Sequence, residues 1–381
     1  MISLFTVSST LSEEKEIGKQ VREKVLSIFK GVENLEVFDL IIKVEDAEKI
    51  TKKFKDKISG CIVAVATGGT ERIIRIISNN IGKPVLLWAN PFNNSLASSL
   101  KAFSKLRQNI PVKIFYSELD SGILGEVKSF IRVCDTINRL KISRLGCIGE
   151  PKWILASDNK KIIRQFGPEI VKMKIEYLVD AMKKVSIDEV KDISKKLKKF
   201  RQEFSEDEMT NAVRIYLAMK ELISKHKLSA ITIRCFDLLK YNFTACLGVS
   251  MCNDEGLVAG CEADLQAILT MMIVSFLTAQ PCWMANPSRI DKDKNTITLA
   301  HCTIATKMIK DISESTLLPH MESGKGVSIR GQLKNNDVTL VRLGGNLDKM
   351  LIVPGKIIKN MQEPNLCRTQ VEVKLKGNVE D

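Results

Sequence analysis

The sequence predicts an α/β protein in which two α/β regions with parallel sheets are followed by a β-rich carboxy-terminal region. From Met1 to about Leu140, short apolar runs alternate with helical patterns, which is typical of a parallel sheet covered by crossover helices. A second such alternation begins at Arg144, whereas the last part of the chain alternates apolar and polar side chains as antiparallel strands do. A chain of 381 residues also exceeds what one hydrophobic core usually organises, so two or three domains are expected.

The first region contains apolar runs that predict strands at 2–7, 36–42, 61–66, 84–88 and 112–116. The third run is followed by Gly68 and Gly69, which predict a tight turn into a helix whose N-terminus faces the carboxyl edge of the sheet. On two glycines alone we interpret this as a plain turn, and an anion or sugar hydroxyl held at the helix N-terminus is the alternative. A nucleotide site is not predicted, because the turn carries neither a GxGxxG fingerprint nor a Walker lysine.

The second region opens with two predicted short strands in residues 144–159, followed by a helix from Lys160. Two further helices are predicted by capping-box spacings, Ser186 with Glu189 and Ser205 with Glu208. Strands are predicted at 230–234 and 243–249, and a long apolar helix begins after Gly260 and is stopped by Pro281. The β-rich region has predicted strands at 296–300, 326–333, 338–343, 349–353 and 369–375.

The composition argues against several classes of function. A net charge of +13 would suit a nucleic-acid-binding protein, but the densest basic run, 195–201, lies on a predicted amphipathic helix with few aromatics, so we predict a solvated helix face and no nucleic-acid partner. The ten cysteines are scattered without a CxxC pair or a signal peptide, which predicts reduced thiols and a cytoplasmic location. The longest apolar run, 265–277, is too short and too polar to span a membrane.

Four polar side chains in the stretch 260–308 form a candidate site. Glu262 and Asp264 lie at a helix start, where the helix dipole favours ionised carboxylates. Asn286 follows the proline that ends this helix, and His301, one of three histidines in the chain, ends the next strand. A carboxylate, an amide and an imidazole, completed by water or sugar hydroxyls, suit six-coordinate Mn²⁺ or Mg²⁺ better than tetrahedral zinc. The alternatives are a helix-capping pair and a structural histidine.

The same stretch resembles a known family. The segments CEAD, LTAQPCWMAN, NTITLAHC, LLPHMESGKGVSIRG and VTLVRLGG resemble the metal-binding half of the L-fucose isomerase and L-arabinose isomerase superfamily, in particular its shorter fucose-isomerase-like members. A weaker resemblance in ATGGTE, NSLASSLKAFSKL and RLGCIGEPKWILASDNKKIIRQFG extends it over the amino-terminal half. The resemblance implies an aldose–ketose isomerase that works through a cis-enediol. A divalent ion, usually Mn²⁺ but also Mg²⁺ or Co²⁺, would bridge the C1 and C2 oxygens of the sugar.

The resemblance also implies roles for the site residues. Glu262 matches a metal ligand and catalytic carboxylate, His301 matches the ligand histidine, and Asp264 matches an acidic neighbour that takes part in catalysis by orienting the ligands. The family's second metal-binding carboxylate falls on Asn286, whose amide oxygen can bind a metal but cannot accept a proton at neutral pH. Another group must then carry a second proton, and the acidic candidates are Asp264, Asp291 and Glu322.

Five further residues are predicted to bind substrate. Arg289 and Arg368 could neutralise the anionic group of a phosphorylated, sulfonated or carboxylated sugar, and surface ion pairing is the alternative for each. His320 and Glu322 precede two glycines and could close over a substrate or be ordinary loop residues. Trp283 could stack on a sugar face or simply pack beside Pro281.

These expectations combine into one hypothesis. The chain would have a flavodoxin-like (Rossmann-type) α/β domain at 1–141, a second such domain at 142–280 and a β-rich domain of the fucose/arabinose isomerase type at 281–381, with the metal pocket where the last two meet. In the family, the amino-terminal domain of a neighbouring subunit completes each site, which implies a homo-oligomer, a trimer or a hexamer. The alternative is a non-catalytic carbohydrate-binding or sensing relative that lost the second catalytic carboxylate.

Overall fold

The apolar runs of the amino-terminal region form a parallel sheet in the computed structural model, which describes residues 1–151, 159–334 and 336–380. Contacts among these residues group the chain into two units, Met1–Asn138 and Arg139–Asp381. The division of the second unit at residue 280 stays a prediction.

The first unit is a sheet of parallel strands in the order β2-β1-β3-β4-β5, which is the flavodoxin-like order. Alternate residues of its central strands pack on opposite faces, with Phe5 and Val63 in one cluster and Leu4 and Trp88 in the other. Covering helices on both faces explain why these strands are apolar throughout. The elements in chain order are β1 (Ile2–Val7), α1 (Ser12–Ile28), β2 (Leu35–Val37), α2 (Val44–Phe54), β3 (Gly60–Val65), α3 (Glu71–Ile81), β4 (Val85–Ala89), α4 (Ser95–Leu106), β5 (Val112–Tyr116) and α5 (Ile123–Ile142), which leads into the second unit.

The second unit begins with another parallel sheet, in the order β10-β9-β6-β7. Its helices α7, α9 and α10 pack on one face through Leu178, Met219 and Val249, and α11 packs on the other through Ile268. The elements are β6 (Arg144–Ile148), α6 (Asn159–Phe166), β7 (Glu169–Met173), α7 (Ile175–Lys184), α8 (Ile187–Leu197), β8 (Arg201–Gln202), α9 (Glu206–His226), β9 (Ala230–Ile233), α10 (Cys246–Asp254), β10 (Val258–Cys261) and α11 (Leu265–Thr278).

The rest of the chain is β-rich, as predicted. An antiparallel sheet has the order β11-β12-β17-β16-β15, and a smaller sheet has the order β14-β13-β8. In the smaller sheet β13 runs parallel to β8, which lies between α8 and α9. The strands are β11 (Asn286–Asp291), β12 (Thr296–His301), β13 (Thr316–Leu318), β14 (Ser328–Arg330), β15 (Asp337–Gly344), β16 (Lys349–Asn360) and β17 (Thr369–Leu375). Two parallel α/β sheets followed by an antiparallel sheet confirm the predicted fold class.

One predicted strand is wrong, and another cannot be placed. Residues 243–249 were expected to be a strand, but Cys246–Asp254 forms helix α10. A short apolar run cannot be distinguished from a buried helix by periodicity, and Gly248 lets α10 pack closely on α9, because a Cβ there would lie 2.9 Å from Sδ of Met219. The second strand expected in residues 144–159 falls largely on 152–158 and lies outside the described residues.

The predicted helix starts at Ser186 and Ser205 are confirmed by capping boxes. Each serine hydroxyl accepts a hydrogen bond from the backbone amide of the Glu three residues later, and the carboxylate of that Glu accepts one from the backbone amide of the serine. Helix α8 carries the first lysines of the basic run, and on it Lys191 and Lys195 pair with Asp188 and Asp192. In the described parts of the chain, no helix combines the length and apolarity needed to cross a membrane.

Candidate active site

Two adjacent parallel strands place the first part of the site. Ile233 at the end of β9 pairs with Cys261 at the end of β10, so the residues that follow each strand leave the sheet side by side. Glu262 then adopts a left-handed backbone conformation with φ of 66°, and Ala263 follows with φ of 52°. This sharp turn takes the chain from β10 into α11 and leaves Glu262 beside the carboxyl end of β9, where sites of α/β proteins gather.

An antiparallel pair of strands supplies the other two predicted metal ligands. Asn286 opens β11 and is paired with Ala300 of β12, so it lies next to His301 at the end of β12. Nδ2 of Asn286 lies 3.3 Å from Oε1 of Glu262, and Nε2 of His301 lies 3.6 Å from the same oxygen. The structure therefore brings together Glu262, Asn286 and His301.

These side chains line a cavity of about 160 Å³. Drug-sized ligands usually occupy pockets of about 300–1,000 Å³, so the cavity suits a small metabolite. His301 is buried, Glu262 is partly buried and Asn286 is exposed, so the cavity opens to solvent on the side of the amide.

The donor set fits a hard divalent ion. Ligands at neighbouring corners of an octahedron with bonds of about 2.1 Å lie about 3.0 Å apart, close to the 3.3 and 3.6 Å found around Oε1 of Glu262. Nδ1 of His301 lies 2.8 Å from Oγ1 of Thr303, so a proton on Nδ1 can be donated to Thr303 while Nε2 keeps its lone pair. Rotation of the Asn286 amide exchanges its NH₂ group for an oxygen ligand. Among the described residues no group of three or more His, Cys, Asp or Glu side chains is arranged for a metal ion, and here the third donor is an amide.

Asp264 occupies a different position from its neighbour Glu262. Its Oδ1 accepts a hydrogen bond of 2.8 Å from the Ala267 amide and thereby caps α11, and its Oδ2 pairs with Arg342 at 3.1 Å. The capping alternative is thus confirmed for Asp264, whose side chain is almost fully buried and is not part of the cavity lining. A catalytic role for Asp264 would have to be indirect, through the turn that holds Glu262.

His320 and Glu322 line the same cavity. They follow β13 in a turn closed by a hydrogen bond from the Gly324 amide to the His320 carbonyl. Nδ1 of His320 lies 3.1 Å from Oγ of Ser323, and its ring packs edge-on against Phe236. Burial alone would lower the pKa of His320, but a hydrogen bond with the Cys302 sulfur and charge interactions with Cys302, Cys235 and Glu322 together outweigh it and raise the pKa.

The other predicted substrate residues lie outside the cavity lining. Trp283 packs against the apolar cluster that contains Ile304 and Leu317, Arg289 is exposed on β11, and Nε of Arg368 donates to the Pro319 carbonyl over 2.9 Å. Arg368 therefore supports the turn that carries His320. Substrate contacts by these three residues stay predictions.

Sequence reasoning missed several lining residues, namely Arg234, Phe236 and the cysteines Cys235, Cys246, Cys261, Cys302 and Cys367. Arg234 directly follows β9, and its position at a carboxyl strand end was the signal that could have found it. The cysteines come from separate parts of the chain and carried no spacing signal. A hydrogen bond from Cys261 lowers the pKa of the Cys235 thiol to about 7, and contacts with Cys246, Cys367 and His320 lower the pKa of Cys302.

Comparisons with known proteins agree on one kind of enzyme. The chain is 24% identical over 301 residues to a sulfoquinovose isomerase of Alkalicoccus urumqiensis, with 75% of this chain and 67% of the relative covered. It is 21% identical to a sulfoquinovose isomerase of Clostridium sp. (strain MSTE9) with the same coverage. It is 22% identical over 392 residues to that of Priestia aryabhattai, with 96% of this chain and 87% of the relative covered. No family model matches the chain. The chain is thus similar, at 21–24% identity, to proteins named as sugar isomerases.

Proposed function

We propose that the protein is an aldose–ketose isomerase and a fucose-isomerase-like member of the L-fucose/L-arabinose isomerase superfamily. The observation that carries this proposal is the convergence of Asn286 and His301 on one carboxylate oxygen of Glu262 inside a small cavity. The similarity to sulfoquinovose isomerases independently supports the isomerase activity, while the superfamily rests on the sequence motifs.

Glu262 is the catalytic base of the proposed reaction. Its carboxylate takes the proton from C2 of an open-chain aldose, which gives a cis-enediol, and a proton is then returned to C1. A hydroxyl proton passes from O2 to O1, so that the carbonyl moves from C1 to C2 and no atom is gained or lost. Asn286 contributes hydrogen bonding and an oxygen ligand, because an amide cannot carry the proton.

Glu322 and His320 are the groups that can carry the hydroxyl proton, since both line the cavity. The two other acids are engaged elsewhere. Asp264 caps α11 and pairs with Arg342, and Asp291 pairs with Lys294 at 2.9 Å in the turn after β11.

Glu262, Asn286 and His301 would hold Mn²⁺, Mg²⁺ or Co²⁺. When bound, such an ion polarises a carbonyl and the adjacent hydroxyl together. Thr303 supports this role, because its Oγ1 can accept a hydrogen bond from Nδ1 and so leave Nε2 of His301 as the metal ligand.

The proposed substrate is a sugar with an anionic substituent, such as the sulfonated sugar in the relatives' name. Arg234 lies in the cavity wall, and a guanidinium binds a sulfonate or phosphate through paired hydrogen bonds. Nε of Arg234 lies 3.2 Å from Asp237 without the geometry of a hydrogen bond, and Nη1 donates to the Glu150 carbonyl over 3.4 Å, so an anion would compete with these two contacts for the guanidinium.

Proton exchange at C2 tests the proposal. The native protein with Mn²⁺ should incorporate deuterium at C2 of sulfoquinovose in deuterated buffer, and Glu262→Gln should slow the exchange by about 10²–10⁴-fold. Glu169→Gln, which makes the same change at an exposed ion pair with Arg144, is the matched control. If the native protein binds the sugar without exchange, the carbohydrate-binding alternative is favoured. The observation that supports this alternative is the amide at Asn286, which cannot carry a proton.

The proposal includes a cytoplasmic homo-oligomer. Three consecutive apolar side chains of β16, Met350, Leu351 and Ile352, are exposed, and such patches often mark subunit contacts. Light scattering of the native chain and of Ile352→Lys tests this part, and an obligate native monomer would exclude it. Ile187→Lys, at another exposed apolar position, is the control.

A further inference from the structure

Two of the five cysteines around the cavity are in direct contact. The Sγ atoms of Cys235 and Cys261 lie 2.8 Å apart, about 0.8 Å longer than a disulfide bond of about 2.05 Å. Both side chains are buried within the protein, and both line the cavity. A small solute that enters the cavity therefore meets two adjacent thiols.

The backbone holds this pair in place. Cys261 is paired with Ile233 in the parallel ladder, and the Ala263 amide donates to the Ile233 carbonyl over 3.1 Å, just beyond the strands. Oγ1 of Thr232 also donates to the Cys261 carbonyl over 3.1 Å. Because these hydrogen bonds fix both chains, a bond between the sulfurs requires side-chain movement and little backbone rearrangement.

We propose that Cys235 and Cys261 form a redox-active dithiol, a modification site that hydroperoxides convert to a disulfide. Cys235, the more exposed of the two, attacks the peroxide, so that an S–O bond forms, the O–O bond breaks and water or an alcohol leaves. The Cys261 sulfur then attacks the sulfenic sulfur, the S–S bond forms, and the oxygen leaves as water with the Cys261 proton. Two thiols lose two electrons in total, and the peroxide gains them.

This pair is favoured over the other cavity cysteines. Cys302 shares its contacts among Cys246, Cys367 and His320, so no single partner is selected. Cys235 and Cys261 face each other from adjacent strand ends, which selects one pairing.

Closure of the disulfide would alter the candidate active site, and this consequence rests on the proposed function. Cys261 directly precedes Glu262, which the left-handed turn aims at Asn286 and His301. The sulfurs must approach by about 0.8 Å, and even a small part of that movement taken up by the Cys261 backbone displaces the Glu262 carboxylate from this set. Oxidation should therefore lower the isomerase rate at least tenfold, and a thiol reductant should restore it.

Cross-link mapping tests the modification site without reference to activity. The native chain is treated with limiting hydrogen peroxide, free thiols are blocked under denaturing conditions, and peptides are mapped by mass spectrometry. We expect one dominant cross-link, between the Cys235 and Cys261 peptides, that dithiothreitol removes and that is absent in Cys235→Ala and in Cys261→Ala. The buried Cys61 and Cys134 should remain blocked as free thiols and serve as internal controls. A dominant cross-link through Cys302, or oxidation of Cys235 to a sulfinic acid without a cross-link, would overturn the proposal.

The activity consequence is tested separately by C2 exchange on the reduced and the cross-linked protein. If the reduced protein exchanges and the cross-linked protein exchanges at the same rate, the inferred effect on Glu262 is wrong. If the reduced protein does not exchange at all, the proposed function is wrong. The cross-link mapping still tests whether Cys235 and Cys261 form a disulfide.

Discussion

Nδ2 of Asn286 donates a hydrogen bond to Oε1 of Glu262 over 3.3 Å, at a position where the isomerase family that the sequence resembles has a second carboxylate. Two carboxylates at this distance would repel each other and raise the pKa of one of them unless a cation lay between them. The amide instead stabilises an ionised Glu262 in the absence of metal. In the proposed reaction, Glu262 would be the base and the Asn286 amide would be a neutral oxygen ligand.

The first prediction concerns Asn286→Asp. A second carboxylate should tighten Mn²⁺ binding at least tenfold, because one more charge faces the ion, and should make that binding more dependent on pH, because one carboxyl is protonated in the empty site. Calorimetric titration with Mn²⁺ at pH 6 and pH 8 measures both effects. Asn286→Leu, which removes the oxygen ligand, is the control and should weaken Mn²⁺ binding. Equal affinities of the native protein, Asn286→Asp and Asn286→Leu would show that residue 286 does not bind the metal.

The second prediction concerns Arg234→Gln. Loss of one charge-assisted contact to an anion costs about 1.5–3 kcal/mol, which is about a ten- to hundredfold increase in KM for a sulfonated aldose. The KM for the corresponding neutral sugar should change little. Arg164→Gln removes the same charge from an exposed position on α6 outside the cavity lining and is the matched control. Steady-state kinetics with both sugars measure these KM values. An equal increase in KM for the neutral sugar would show that Arg234 maintains the structure of the pocket and does not bind the anion.

The third prediction compares two glycines in the turn after His320. Gly324 and Gly326 have φ of 62° and 61°, but a Cβ on Gly324 would meet nothing within 4 Å, whereas one on Gly326 would meet Oγ1 of Thr244 and lie 2.9 Å from its amide nitrogen. Gly324→Ala should cost only the left-handed backbone penalty of about 1–2 kcal/mol. Gly326→Ala should cost more and should also lower activity, since the turn carries His320 and Glu322. Urea unfolding measures the first effect and C2 exchange the second, and equal losses in the two variants would contradict the predicted clash.

The fourth prediction is a pH dependence of stability at Glu255. Burial alone would raise the pKa of Glu255, but hydrogen bonds from Lys220 and Tyr216 outweigh it and lower the pKa. A carboxyl with a lowered pKa stabilises the fold above its unfolded value of about 4.3 and loses that contribution as the pH falls through the folded value. Glu255→Gln should therefore lower the free energy of unfolding by about 0.5–1 kcal/mol at pH 7, and the difference should shrink towards pH 4. Urea titrations at both pH values check this, with Glu221→Gln on α9 as the exposed control, and a difference independent of pH would exclude the ionic contribution.

The sequence was sufficient for the features that depend on local patterns. Continuous apolar runs located the buried parallel strands, and the Ser–x–x–Glu spacings located the starts of α8 and α9, because each signal lies within one element. The order of Glu262, Asn286 and His301 pointed to a common site, and the structure brings the three together.

Features that depend on tertiary contacts could not be predicted from local sequence patterns. Asp264 resembles Glu262 in sequence, but the turn between them sends one carboxylate to the cavity and the other to Arg342. The strand expected at 243–249 is a helix because its apolar side chains and Gly248 meet α9. Arg234 and the cavity cysteines come together only when β9, β10 and the β-rich region assemble.

The pairing of β8 with β13 has a consequence for protein engineering. The two residues of β8 add to a sheet whose other strands come from beyond residue 310, and the adjoining apolar cluster joins Leu197 and Val213 to Leu317 and Val327. A fragment that starts at residue 281 would lack this edge partner and would expose the apolar side chains that α8 and α9 cover. We expect such a fragment to aggregate when it is expressed alone, so the β-rich region cannot be exchanged between relatives as an independent cassette unless α8, β8 and α9 are transferred with it.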